Sequence, residues 1–143
     1  MNLYTSDLHF GHKNVMLFDH RPFAEADEMD AFIMQCWNSR VQPDDMVYIL
    51  GDFCHKSQKT PDWYLKRLKG HKTLIIGNHD TKLLKNQRAM SYFDRVEIMM
   101  EIEEAKIIYV YVIIQLLNGM DIFVNHGIFM VTSIIKKQKH MRL

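Results

Sequence analysis

Three short polar clusters each close an apolar run: Asp7-Leu8-His9, Gly51-Asp52 and Gly77-Asn78-His79-Asp80. Carboxylate, imidazole and amide are the N and O donors that hold divalent first-row cations. Two such cations form a clamp for phosphoryl transfer: they neutralise the phosphate, acidify a bridging water and stabilise the attacking and leaving oxygens. Asp7 and His9 stand two apart, so on an extended strand end both point to one side. Asp52 follows a second strand and Asn78 a third. His79, beside a donor, is placed to protonate a leaving-group oxygen as a general acid. Taken singly, Gly-Asp and Gly-Asn are ordinary turn sequences. Three such clusters after three strands point to a metal site.

The elements that must carry these clusters are legible. Met1 to Ser6 reads as a strand. Arg21-Pro22-Phe23 breaks the chain, and from Glu25 to Arg40 the residues Met29, Phe32, Ile33, Cys36 and Trp37 recur at helical spacing, predicting an amphipathic helix. Met46–Leu50 is a compact apolar run and predicts a buried strand. Thr60-Pro61 is a helix start, a hydroxyl N-cap followed by proline; that helix carries Trp63, Tyr64, Leu65 and Leu68 and is expected to end at Gly70. Thr73–Ile76 is the third strand. Strand, helix, strand, helix, strand is the pattern of parallel βαβ units. Beyond Ser91 the runs Val96–Ile102, Ile107–Leu116 and Ile122–Val124 read as strands with no clear helix between them.

Composition narrows the class. At 143 residues, 48% hydrophobic and 24% charged, the chain fits one soluble domain. Lys+Arg of 18 against Asp+Glu of 17 offers no basic field for nucleic acid or anionic membrane. Cys36 and Cys54 form no redox or metal spacing, so a reducing, cytoplasmic compartment is expected. No leader is visible at Met1-Asn2-Leu3-Tyr4, and Ile107 to Leu117 is too short to span a bilayer. His20, His55 and His71 read as surface residues, and Lys66-Arg67 and Lys136-Lys137 as solvated faces.

The longer stretches Asp7-Leu-His-Phe-Gly-His-Lys-Asn14, Arg21-Pro-Phe23 and Pro43-Asp-Asp-Met-Val-Tyr-Ile-Leu-Gly-Asp52, with Gly77-Asn78-His79-Asp80, resemble the calcineurin-like metallophosphoesterase superfamily, in its small single-domain bacterial and phage branch. The resemblance covers residues 1–104, with 105–143 divergent. It implies one domain over 1–143 folded as a four-layer α/β/β/α sandwich around two divalent metals, commonly Mn, Fe, Zn or Ni. By matching positions, Asp7, His9 and Asp52 would hold the first metal, Asp52 would bridge to the second, Asn78 would bind the second, and His79 would be the catalytic acid. His12 and Asn14, in the first loop, are candidate substrate contacts. The implied activity is hydrolysis of a small phosphomonoester or phosphodiester by a metal-bound hydroxide.

The resemblance breaks in the tail. The family also carries a Cys-His-Tyr-Pro-like strand end and a final Gly-His-x-His, and neither follows residue 104. His126 in Asn125-His126-Gly127 is the in-frame histidine placed to substitute for the first; His140 lies in a basic context that fits neither. Shifted by one frame, permitted codons from Tyr111 to Leu117 read Cys-His-Tyr-Pro-Ile-Thr, and those from Phe129 to Ile135 read Tyr-Gly-His-Ile-His-Asn. One frameshift near residues 105–111 is the hypothesis that accounts for both absences. Resequencing codons 100–143 tests it: a coding strand that cannot be read this way rejects it. With three histidine ligands missing, the rival expectation is a degenerate, non-catalytic domain that binds one metal ion or a phosphate.

Overall fold

The computed structural model describes residues 1–104 and 107–112. Four strands, β1 (Asn2–Ser6), β2 (Met46–Leu50), β3 (His71–Ile75) and β4 (Arg95–Glu97), form a parallel sheet in the order β1-β2-β3-β4. Helices α1 (Val15–Phe18) and α2 (Ala26–Arg40) lie between β1 and β2, and α3 (Pro61–Leu65) between β2 and β3. Two further short helices, α4 (Thr81–Leu84) and α5 (Gln87–Met90), precede β4. A hairpin of β5 (Met99–Glu104) and β6 (Ile107–Val112) forms a second, antiparallel sheet. This is the α/β fold that the sequence pattern predicts.

The alternation of side chains along a strand explains why the central runs are apolar throughout. Leu3, Val47, Ile49 and Leu74 face the larger core, where they meet Trp37, Val41, Tyr64, Leu65, Leu68, Ala89 and Phe93. Tyr4, Tyr48, Leu50 and Ile75 face the other side and cluster with Met100 of β5. Tyr4 and Tyr48, paired across β1 and β2, stack at 5.1 Å. Both faces of the sheet therefore carry apolar clusters. Among the described residues, no helix is long and apolar enough to cross a membrane.

Several boundaries depart from the sequence reading. The strand expected over Val96–Ile102 is two: β4 pairs with β3, Ile98 is exposed, and β5 then starts the second sheet. Helix α3 stops at Leu65, well before Gly70, because the chain tightens there into turns closed by Arg67 N–H to the Tyr64 carbonyl and Leu68 N–H to the Leu65 carbonyl. Thr60 occupies the N-cap with extended backbone, but its hydroxyl does not cap the helix. Phe32 is exposed rather than part of the buried face of α2, and packs on Phe23. Helices α1, α4 and α5 span a single turn each, too short for periodicity to register. Ile122–Val124, His126 and His140 lie outside the described residues.

Candidate metal centre

The register of the sheet sets Ser6 level with Leu50 and Leu50 level with Ile75, so three polar loops leave the sheet side by side. The first two stay bonded beyond the strands. Asp7 N–H donates to the Gly51 carbonyl at 3.2 Å, His9 N–H to the Asp52 carbonyl at 2.9 Å and Phe10 N–H to the Phe53 carbonyl at 3.0 Å. To keep these bonds while turning their side chains together, Asp7, His9 and Asp52 adopt left-handed backbone, with φ of 51°, 50° and 53°. That region costs an L-residue about 1–2 kcal/mol, less for Asp and His than for most. Strain of this kind at three of the expected donors is a mark of a functional site.

The side chains converge. His9 Nε2 lies 3.8 Å from Asp7 Oδ1 and 3.8 Å from Asp52 Oδ2. These separations are too long for hydrogen bonds, and a cation about 2.0–2.2 Å from each donor would join them. Among the described residues this is the one group of three or more His, Cys, Asp or Glu side chains so close together, all ligand atoms lying within 4.8 Å of one another. Burial lowers the His9 pKa to about 4, which leaves a neutral imidazole with a free lone pair. Burial raises the Asp7 pKa, and the Asp52 carboxylate beside it adds to the rise. A cation would relieve both effects, so the donor set fits a divalent metal.

Around His9 stand the rings of His12 at 5.6 Å and His79 at 5.7 Å; His55 packs on His79 at 4.2 Å and edge-on to His12 at 4.8 Å. His55 is thus part of this cluster, not the surface residue the sequence suggests: the hydrogen bond from its N–H to the Phe10 carbonyl draws the loop inward. Burial lowers the pKa of both His12 and His55. His12 is buried, whereas Asn14 and Asn78 are exposed; Asn14 stands at the N-cap of α1 and makes no side-chain capping bond. His79 is half-buried, and its N–H donates to Asp52 Oδ1 at 2.9 Å. His20 and His71 are exposed as expected. Cys54 is buried and its thiol is pushed up to about 12, so it stays a neutral packing group.

Residues outside the Asp7–His9–Asp52 group hold this arrangement. The buried Arg21 guanidinium donates to the Asp7 and Leu8 carbonyls at 2.9 and 3.2 Å and pairs with Asp19 at 3.0 Å. Asp80, fully buried, accepts from the N–H groups of Asp52 and Phe53 at 2.9 Å each and of Gly77 at 2.8 Å, locking the second cluster to the third. Asp30 of α2 accepts from Gly11 N–H at 2.8 Å and from Tyr64 hydroxyl at 2.7 Å, and that hydroxyl also meets Ser57 Oγ at 2.8 Å. Asp30 had one signal in the sequence, a carboxylate on the apolar face shared with Ile33 and Trp37. Arg21 had its place in the Arg21-Pro-Phe23 stretch of the resemblance, and His55 had none.

Gly77 is required by close approach. A Cβ there would stand 2.5 Å from Asp52 Oδ1, 2.6 Å from Asp52 N and 2.8 Å from Gly51 Cα. Two of these neighbours are backbone and cannot swing away. Gly77→Ala is expected to destabilise the chain by about 1–3 kcal/mol, as overpacking does, and to weaken metal binding by displacing Asp52. Urea unfolding and a metal titration on one preparation check both.

The histidines predict a pH response in the metal-free protein. A histidine whose folded pKa lies below its unfolded 6.5 leaves stability untouched above 6.5 and erodes it as pH falls towards the folded value, about 4 for His9. Ring-proton NMR should place the His9 midpoint near that value. A midpoint at or above 6.5 would contradict the buried, neutral ring.

A family model described as calcineurin-like phosphoesterase matches residues 3–141, past residue 104 where the motif resemblance stops. An uncharacterized protein of Methanocaldococcus jannaschii is 38% identical over 78 residues, 52% of this chain and 44% of that one. The gene 66 protein of Mycobacterium phage L5 is 44% identical over 82 residues, 54% of this chain and 38% of that one. These matches span less than half the length of either relative. A crystal structure of a protein of unknown function from Aquifex aeolicus superposes with a TM-score of 0.62 at 28% identity, over 77% of this chain and 58% of that one.

Proposed function

The chain belongs to the calcineurin-like phosphoesterase family, and on that footing we propose that it hydrolyses a small phosphomonoester or phosphodiester with divalent metal at the strand ends. The observation that carries this reading is the convergence of Asp7, His9 and Asp52 from two separate loops onto one point. When bound, the metal supplies Lewis acidity, neutralising phosphate charge and acidifying a water. Asp7 and Asp52 would hold it through carboxylate oxygens and His9 through Nε2, with Asp52 and Asn78 serving a second ion.

The chain's own groups do the rest. Burial keeps His9 neutral and so available as a donor. His79, fixed by its N–H on Asp52 Oδ1, would hand a proton from its imidazole to the leaving oxygen. His12 and His55 wall the site beside it and would keep a bound ester against these groups. The two free cysteines support a reducing, cytoplasmic setting.

The test is hydrolysis of a chromogenic phosphodiester after chelator treatment and again with manganese restored. Activity should vanish on stripping and return with the metal; a rate indifferent to both would refute the proposal. A second reading, one bound ion without turnover, draws on the fact that the described residues assemble one three-donor group and leave Asn78 exposed. Calorimetry giving one ion per chain, with no hydrolysis of mono- or diesters, would favour it.

A further inference from the structure

Away from the metal centre, residues of α3, α5 and the turns that follow them line an open surface cavity of about 290 Å³. None of its lining residues belongs to the site described above. Lys66, Arg67 and Arg88 rim it, and Trp63 and Tyr92 supply its aromatic wall. All three cations are exposed, and among the described residues none of them has a carboxylate partner within 4.0 Å. Its one lining carboxylate, Asp62, accepts from Asn86 Nδ2 at 3.2 Å. In a chain with net charge of only +1, three cations against the one carboxylate of Asp62 leave a local excess of positive charge that attracts anions.

One of these cations is fixed in place. The Arg67 guanidinium lies 3.7 Å from the centroid of the Trp63 ring and donates to the Trp63 carbonyl at 2.6 Å. Lys59 Nζ also approaches that ring, 5.1 Å from its centroid, while paired with Asp27. A guanidinium stacked in this way is a flat, charged platform with donors left over, and it can meet both a planar ring and a phosphate. The cavity is close to the lower size limit of small-molecule sites, about 300 Å³.

We propose that this cavity binds a phosphorylated ligand with a planar ring, of mononucleotide size, its phosphate held by Lys66, Arg67 and Arg88 and its ring against the Arg67–Trp63 stack. Lys66 and Arg67 are exposed, as the sequence reading of a solvated face expects; the proposal gives that face a ligand. It does not depend on the proposed phosphoesterase reaction, because the test is run without metal.

The experiment follows the Trp63 indole N–H by NMR in the full chain, in the presence of chelator. Titration with adenosine monophosphate should give saturable shifts, with adenosine or inorganic phosphate each binding about tenfold more weakly. Arg88→Ala should weaken binding about tenfold, as the loss of a hydrogen bond to a charged group does. Arg67→Lys, which keeps the charge and loses the platform, should weaken the nucleotide more than phosphate. Neither variant should change metal binding at Asp7, His9 and Asp52. Non-saturating shifts, phosphate binding as tightly as the nucleotide, or unchanged affinity in both variants would overturn the proposal. So would a single-stranded oligonucleotide binding far more tightly than the mononucleotide, since the occupant would then be a polymer.

Discussion

Asp52→Asn should leave a folded protein in which the proposed metal binding and phosphoester hydrolysis are both lost. Asparagine keeps the shape of the side chain and an oxygen to accept from His79 N–H, now 2.9 Å from Asp52 Oδ1. What it removes is the negative charge facing His9 Nε2 and the like-charge pressure on Asp7. The metal-free variant should therefore unfold at a urea concentration no lower than the parent's. Metal affinity should fall by more than about 100-fold, the upper range for losing only an outer partner of a ligand. Hydrolysis should fall by about 10²–10³-fold or more, the scale of losing one preorganised electrostatic group. Calorimetry with manganese and the chromogenic assay read the two effects, and parental values in both would remove Asp52 from the site.

The largest loss of stability should come from Asp80→Ala. Three buried N–H groups, those of Asp52, Phe53 and Gly77, depend on this one carboxylate. Each buried donor left unsatisfied costs about 1–3 kcal/mol. Allowing for relaxation, the sum is about 3–5 kcal/mol, a large share of the 5–15 kcal/mol that holds a typical domain together. Asp80→Asn keeps one accepting oxygen of the two and should fall between the alanine variant and the parent. Urea midpoints that decrease from the parent through the asparagine variant to the alanine variant would fit. An alanine variant as stable as the parent would mean that water or other groups satisfy those amides.

Much of this fold could be read from the chain because its signals are local. Met46–Leu50 is apolar on both faces and stops at Gly51, and β2 spans those same residues. Helix α2 declares itself by spacing over four turns. The donors Asp7, His9 and Asp52 could be found because strand ends present them, and a parallel register then makes them neighbours. What stayed hidden was long-range or too short for a period. The Asp30–Tyr64–Ser57 chain joins residues up to 34 apart, and no pattern along a sequence announces such a pairing. His55 enters the centre through a backbone bond to Phe10, again invisible from its own neighbours. The split of β4 from β5 at Ile98 is a choice between two sheets, and a run of apolar residues does not state which sheet it will join.

The left-handed backbone at Asp7, His9 and Asp52 sets the proposed metal donors against the interests of the scaffold. Glycine would adopt the same geometry without crowding from a Cβ, and would relieve the buried donors of their desolvation. A mutant library screened for heat resistance alone would therefore be rewarded for discarding these side chains. The survivors would be hardier and inert, the familiar exchange between robustness and activity. Any programme to toughen this protein needs a selection for metal binding alongside it, or it will erase the proposed metal centre.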